Sequence, residues 1–160
     1  MREKKLRIKN QKIMEKIKKI REITGAGVMD VKRALDESGG DEEKALKLLK
    51  EKGLQKAEKR SERETAQGLI DCYIHLGRIG AMVEVNCETD FVARNEDFKQ
   101  FVREIAIQVA QSTCETVEQL KDEVYFRDER KTVADVLSEI VSKTGENVRI
   151  SRFERFVLGE

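Results

Sequence analysis

The chain has 160 residues, 39% hydrophobic and 39% charged, which suits one compact domain or two small ones whose cores are marginal singly. Its net charge of +1 hides an asymmetry: residues 1–67 hold 20 Lys and Arg against 13 Asp and Glu, and residues 68–160 hold 12 against 18. Three widely spaced cysteines (Cys72, Cys87, Cys114) and a single His75 exclude a structural zinc site, which needs four Cys or His ligands at short paired spacings; no apolar run has transmembrane length and no signal-peptide h-region is present, so the expectation is a cytosolic protein with reduced thiols.

The first 24 residues carry 10 basic and 3 acidic side chains. Residues 1–15 read as a basic extension, either a frayed, solvated tail or an arm that touches RNA or an acidic protein. Ile13, Ile17 and Ile20 recur at helical spacing, and Gly25 should stop that helix. Val28, Val31 and Leu35 share one face of a second helix ended by Gly39–Gly40. Asp41 is a good N-cap, with Glu42 and Glu43 at the positive end of a third helix. Ala45, Leu48 and Leu49 face inward there, and Gly53 is its expected stop. Residues 16–53 thus form a small three-helix bundle. Residues 54–67 are polar helix formers without an apolar face, a connecting helix or linker.

From Gly68 the period changes to two. Ile70, Cys72, Ile74 and Leu76 alternate with Asp71, Tyr73 and His75; after Gly77–Arg78, the residues Ile79, Ala81, Val83, Val85 and Cys87 alternate again, which predicts a β-hairpin. Asn95 caps a long amphipathic helix with Phe98, Phe101, Val102, Ile105, Ala106, Val109 and Ala110 on its stripe. Val117, Leu120 and Val124 suggest a short helix. Thr132 caps another, with Val133, Val136, Leu137, Ile140 and Val141 inward and Gly145 as its stop. Residues 147–158 are β-branched and aromatic and predict a third strand. The fold class is therefore α+β: a helical bundle, a linker helix, then, over 68–160, a three-stranded antiparallel sheet covered by helices.

Catalytic chemistry finds little support. Cys72 and His75 lie on opposite faces of a strand, so the thiol lacks an adjacent base. No P-loop is present. Glu88 and Asp90 could share a strand face or simply be solvated. The segment 86–98, NCETDFVARNEDF, stands out because Phe91 and Val92 are apolar in a surface connection. Phe91 either tucks into its own core or stands out as an aromatic anchor for a partner.

Three strings bear a resemblance, in order along the chain. TDFVARN (89–95), preceded by EVNCE (84–88), resembles the signature of the elongation factor Ts family. IREITGAGVMDVKRAL (20–35) with GDEEKALKLLKEKG (40–53) resembles that family's ubiquitin-associated-like three-helix domain. KTGENVRISRFERFVLG (143–159) resembles the close of its core domain. The resemblance implies a guanine-nucleotide exchange factor, not an enzyme, that binds elongation factor Tu carrying GDP and speeds GDP release, with no cofactor or metal of its own. Carried over, Asp90 and Phe91 disturb the magnesium and phosphate contacts of the GTPase, supported by Thr89 and Val92. Ile20, Arg21, Val28 and Met29 match the contact of the N-terminal domain with the GTPase; for Val28, core packing is the other reading. Longer members carry two pseudo-repeated core subdomains and a helical hairpin, whereas here Val124 runs directly into YFRDERKTVADVL. A homodimer through the sheet's edge or open face is expected to compensate, with no membrane and no stable nucleic-acid partner. The rival expectations are an RNA-associated module or an adaptor for ubiquitin-like partners.

Overall fold

In the computed structural model, which describes residues 2–160 and the side chains of 11–53, 55 and 59–160, the isoleucine spacing belongs to a helix, α1, spanning Arg2–Thr24. It begins well before Ile13, because Lys, Arg, Glu and Gln are themselves good helix formers. Gly25, at φ 65°, ends it and donates from its N–H to the Arg21 carbonyl at 2.8 Å. Helix α2 spans Val28–Glu37 and α3 spans Glu42–Arg60. Ile17, Ile20, Val31, Ala34, Leu35, Ala45 and Leu49 bury one another. Gly53 does not stop α3 as expected. A glycine inside a helix costs only about 1 kcal/mol against alanine, and the residues that follow favour the helix.

The chain divides into two units, Met1–Lys56 and Ala57–Glu160. In the second, β1 (Gln67–His75) pairs antiparallel with β2 (Ile79–Cys87), and β2 pairs antiparallel with β3 (Val148–Val157), giving the order β1-β2-β3. Gly68 pairs with Asn86 of β2 and leaves no room for a side chain. A Cβ there would lie 2.2 Å from the Val85 carbonyl oxygen. The β2–β3 register shifts at Glu84/Val85, where Glu84 faces Arg152 and Val85 faces Ile150. Ser151 is thus the extra residue of a bulge.

Between β2 and β3 come α4 (Asp90–Ala93), α5 (Glu96–Gln111), α6 (Val117–Asp122) and α7 (Val133–Thr144). The α5 stripe is buried as its period requires, with Phe98, Val102, Ile105, Ala106 and Val109 fully inside against Val83 and Val85 of β2. Asn95, Thr116 and Thr132 cap α5, α6 and α7 through their side chains, the last two as capping boxes. Val124 lies outside α6 and bridges to Thr132, while the Tyr125 N–H donates to the Lys131 carbonyl at 2.9 Å. These two pairings close residues 125–131 into a short loop.

The helices cover one face of the sheet only. On β1 the side facing them carries Leu69, Asp71 and Tyr73, and the side turned away carries Ile70, Cys72 and Ile74. The more aliphatic face of β1 is therefore the exposed one. Met82 and Phe156 share that open face.

Candidate functional site

The segment after β2 is built by one hydroxyl and one carboxylate. Thr89 is extended, at φ −127° and ψ 157°, and is the N-cap of α4. Its hydroxyl has one proton, which it donates to Glu146 Oε1 at 2.6 Å; its backbone N–H donates to Glu146 Oε2 at 3.0 Å. The hydroxyl oxygen is left to accept from the Val92 N–H at 3.4 Å. The other end of the turn is held by burial of Val92 and Ala93. Phe91 lies between these two anchors and is 84% exposed. Phe91 therefore does not tuck into its own core.

Glu146 reaches Thr89 because Gly145 turns the chain at the end of α7. Its φ of 79° is a left-handed conformation that a Cβ would strain. The next residue joins the same clamp. The buried Asn147 donates from its N–H to Glu88 Oε1 at 2.5 Å, and from Nδ2 to the carbonyls of Ser61 and Arg63 at 3.3 and 2.8 Å. The Arg63 guanidinium lies 3.3 Å from the same Glu88 oxygen. Glu88 and Asp90 do not form a pair, since Asp90 instead sits 3.0 Å from the Arg94 guanidinium. Cys87 donates its thiol proton to the Thr89 carbonyl at 3.2 Å. Burial first, and the Glu146 charge second, push that thiol up to about 11. Sequence reasoning missed Glu146 and Asn147 as part of this site. The only trace in the sequence was a polar Glu-Asn pair directly after a helix-stopping glycine.

In the helical unit the four expected residues separate into two kinds. Ile20 is 1% exposed, so its side chain belongs to the core and not to a presented surface. Val28 and Met29 are 42% and 64% exposed on the first turn of α2, and Arg21 donates from Nε to the Ala26 carbonyl at 3.3 Å. Val28 therefore stands half out of the core, while Val31 and Leu35 of the same expected stripe are buried.

His75 accepts from or donates to the Tyr73 hydroxyl at 3.1 Å, and Cys72 faces the opposite side of β1. Among the described residues no group of three or more His, Cys, Asp and Glu could hold a metal ion, and no helix is long and apolar enough to cross a membrane.

Comparison with known proteins adds identity to this geometry. Residues 88–160 match the family model described as Elongation factor TS. A protein of Clostridium kluyveri named Elongation factor Ts is 50% identical over 145 residues, covering 90% of this chain and 47% of its own length. The chain thus spans about half of that relative. Elongation factor Ts of Synechococcus is 42% identical over 193 residues, covering 90% of this chain and 68% of its own length. That of Thermotoga petrophila is 40% identical over 191 residues, covering 92% of this chain and 96% of its own length. The last two alignments are longer than the 160-residue chain, so those relatives hold internal residues with no counterpart in it.

Proposed function

The chain belongs to the elongation factor Ts family, and we propose that it is a cytoplasmic guanine-nucleotide exchange factor, without bond chemistry of its own, that binds elongation factor Tu carrying GDP and promotes GDP release. The observation that carries this reading is Phe91, an aromatic ring left in water on a turn whose two ends are fixed. Ordering a loop on binding costs free energy, so a preset turn keeps more of its contact energy for the partner. GDP is held in such GTPases by phosphate and magnesium contacts that depend on geometry. A ring driven among them lowers the release barrier, and about 4 kcal/mol would speed release roughly 1,000-fold. The rest of the interface must offset that strain. Met29, Val28 and Arg21 contribute to it from the ubiquitin-associated-like bundle, with Ile20 supporting them from beneath. Asp90 and Val92 flank the wedge, the first at its rim and the second as its root.

The test is release of a fluorescent GDP analogue from elongation factor Tu. Wild type should accelerate it, and Phe91→Ala should be slower by roughly 30-fold, the equivalent of losing a hot-spot side chain of about 2 kcal/mol. No acceleration by wild type at saturation would sink the reading. Tight, salt-sensitive RNA binding in that case would favour an RNA-associated module, and retention on a ubiquitin-like protein would favour an adaptor.

The open face of the sheet supports a second part of the proposal, a homodimer. Ile70, Ile74, Met82 and Phe156 are all about half exposed or more on one contiguous surface, the kind of patch a soluble monomer seldom leaves open. A two-fold axis would bury it against its own copy. Light scattering should give twice the chain mass for wild type and a monomer for Phe156→Glu. A wild-type monomer at working concentration counts against it.

A further inference from the structure

We infer that Glu146 is the positioning residue of the exchange loop: its carboxylate sets the Thr89 turn and thereby aims Phe91, an inference that rests on the exchange reading above. The geometry is two-point. One carboxylate takes both donors of Thr89, the N–H at 3.0 Å and the hydroxyl at 2.6 Å. A single hydrogen bond would leave the residue free to pivot, whereas two from the same planar group fix its orientation. Because the hydroxyl proton goes to Glu146, its oxygen faces the Val92 N–H, so the same contact that locates Thr89 also starts α4. Phe91 is the second residue of that helix, and the direction of its Cα–Cβ bond follows from where the helix starts.

Glu146 is itself held. Its N–H donates to the Thr144 hydroxyl at 3.4 Å, Gly145 supplies the turn before it, and the buried Asn147 after it is tied to Glu88, Ser61 and Arg63. The clamp therefore joins three stretches distant in sequence: the end of the linker, the exchange loop, and the α7–β3 turn. Val92 and Ala93, buried at the far end of the turn, keep the loop attached when Glu146 is changed, so the loss is of aim more than of fold. A displacement of about 1 Å in a positioned group can cost on the order of 100-fold in rate. A turn released at one end only should cost about tenfold.

The experiment compares full-length wild type, Glu146→Gln and Glu146→Ala, each also in the Phe91→Ala background, in GDP release from elongation factor Tu over a range of factor concentrations. The expected result is a lower maximum rate, about tenfold for Glu146→Ala and less for Glu146→Gln, whose amide oxygen still accepts one of the two bonds. The half-saturating concentration should change less than the maximum rate. With Phe91→Ala, the Glu146 changes should have no further effect, because Glu146 acts through the ring. Equal maximum rates for wild type and Glu146→Ala overturn the inference and leave the exchange function standing. So does an equal loss in both backgrounds, or loss of the folded tyrosine signal in both Glu146 variants, since either marks a purely structural residue. Failure of wild type to accelerate release takes down the exchange reading itself, and this inference with it.

Discussion

Two turns in the molecule put an apolar side chain into water at the same helical position, and they are held in different ways. Met29 is the second residue of α2, after the N-cap Gly27; Phe91 is the second residue of α4, after the N-cap Thr89. In the helical unit the bonds of Arg21, Thr24 and Ala26 stay within the turn. Thr24 donates to the Ile20 carbonyl, Ala26 donates to the Thr24 hydroxyl, and Arg21 donates to the Ala26 carbonyl. Gly27 contributes no side-chain cap. In the α+β unit the cap is a threonine whose hydroxyl is oriented by a carboxylate 57 residues further along the chain. A local turn is set by its own few residues, whereas the Phe91 turn exists only when the α+β core is assembled. The first kind suits a side chain that adapts to a surface, and the second suits one that must arrive at a set angle.

The largest effect should come from breaking that dependence at its base. Phe98 is fully buried on the first turn of α5, in the same core as Val92 and Ala93 of α4. Phe98→Ala should cost about 3–5 kcal/mol. All the aromatic residues of the chain lie beyond residue 56, so tyrosine fluorescence reports only on the α+β unit while far-ultraviolet circular dichroism sees both. In a denaturant titration the tyrosine midpoint should fall sharply, with part of the helical signal keeping its wild-type midpoint. A parallel shift of the whole helical signal would show that the helical unit's turn also depends on the α+β core.

A smaller and pH-dependent loss should appear at Cys87, which donates its thiol proton to the Thr89 carbonyl. Its thiol titrates at about 11 in the folded chain against an ordinary 9.0, chiefly through burial and then through the Glu146 charge. The folded value is the higher one, so the unfolded chain releases its proton first. This contribution is complete below about pH 9, declines by about 1.4 kcal/mol per pH unit up to about pH 11, and levels off once both states are ionised. Cys87→Ala should flatten that limb of the stability profile measured by tyrosine fluorescence, whatever constant offset its lost volume introduces. The helical unit contains no cysteine, so its turn lacks this sensitivity. An unchanged slope in Cys87→Ala would mean that burial does not hold the thiol protonated above its ordinary range.

Much of this arrangement was legible in the sequence, and the limits have physical causes. The α5 stripe from Phe98 to Ala110 and the caps Asn95 and Thr132 are local signals, and they sit in the fold as their spacing requires. The hairpin was equally plain from its alternation. What alternation cannot say is which face meets the helices when both faces carry apolar residues: Leu69 and Tyr73 point to the core, while Ile70 and Ile74 point away. Gly53 misled because a glycine's cost is smaller than the pull of the helix formers around it. The exposure of Phe91 was undecidable by period, since α4 is too short to show one. Glu146 was invisible for a different reason, because its bond to Thr89 is made by the way the α7–β3 turn folds back and by nothing near either residue in the chain.

The smallest effect tests the local half of the contrast. Gly27 has φ −62° and ψ 149°, an extended conformation open to any residue, and a Cβ there would meet Asp30 Oδ2 at an ordinary 3.7 Å. A serine hydroxyl at this position could accept from the N–H of Met29 or Asp30, the bond that α2 does without, and Asp30 already places negative charge at the positive end of the helix. The gain over glycine is only a few tenths of a kcal/mol, which corresponds to roughly twofold slower hydrogen exchange. Gly27→Ser should therefore slow amide exchange in the first turn of α2 by about that factor and leave exchange around Thr89 unchanged. If the helical turn were held by contacts other than its own residues, a new cap would add nothing, and equal exchange in wild type and Gly27→Ser would show it.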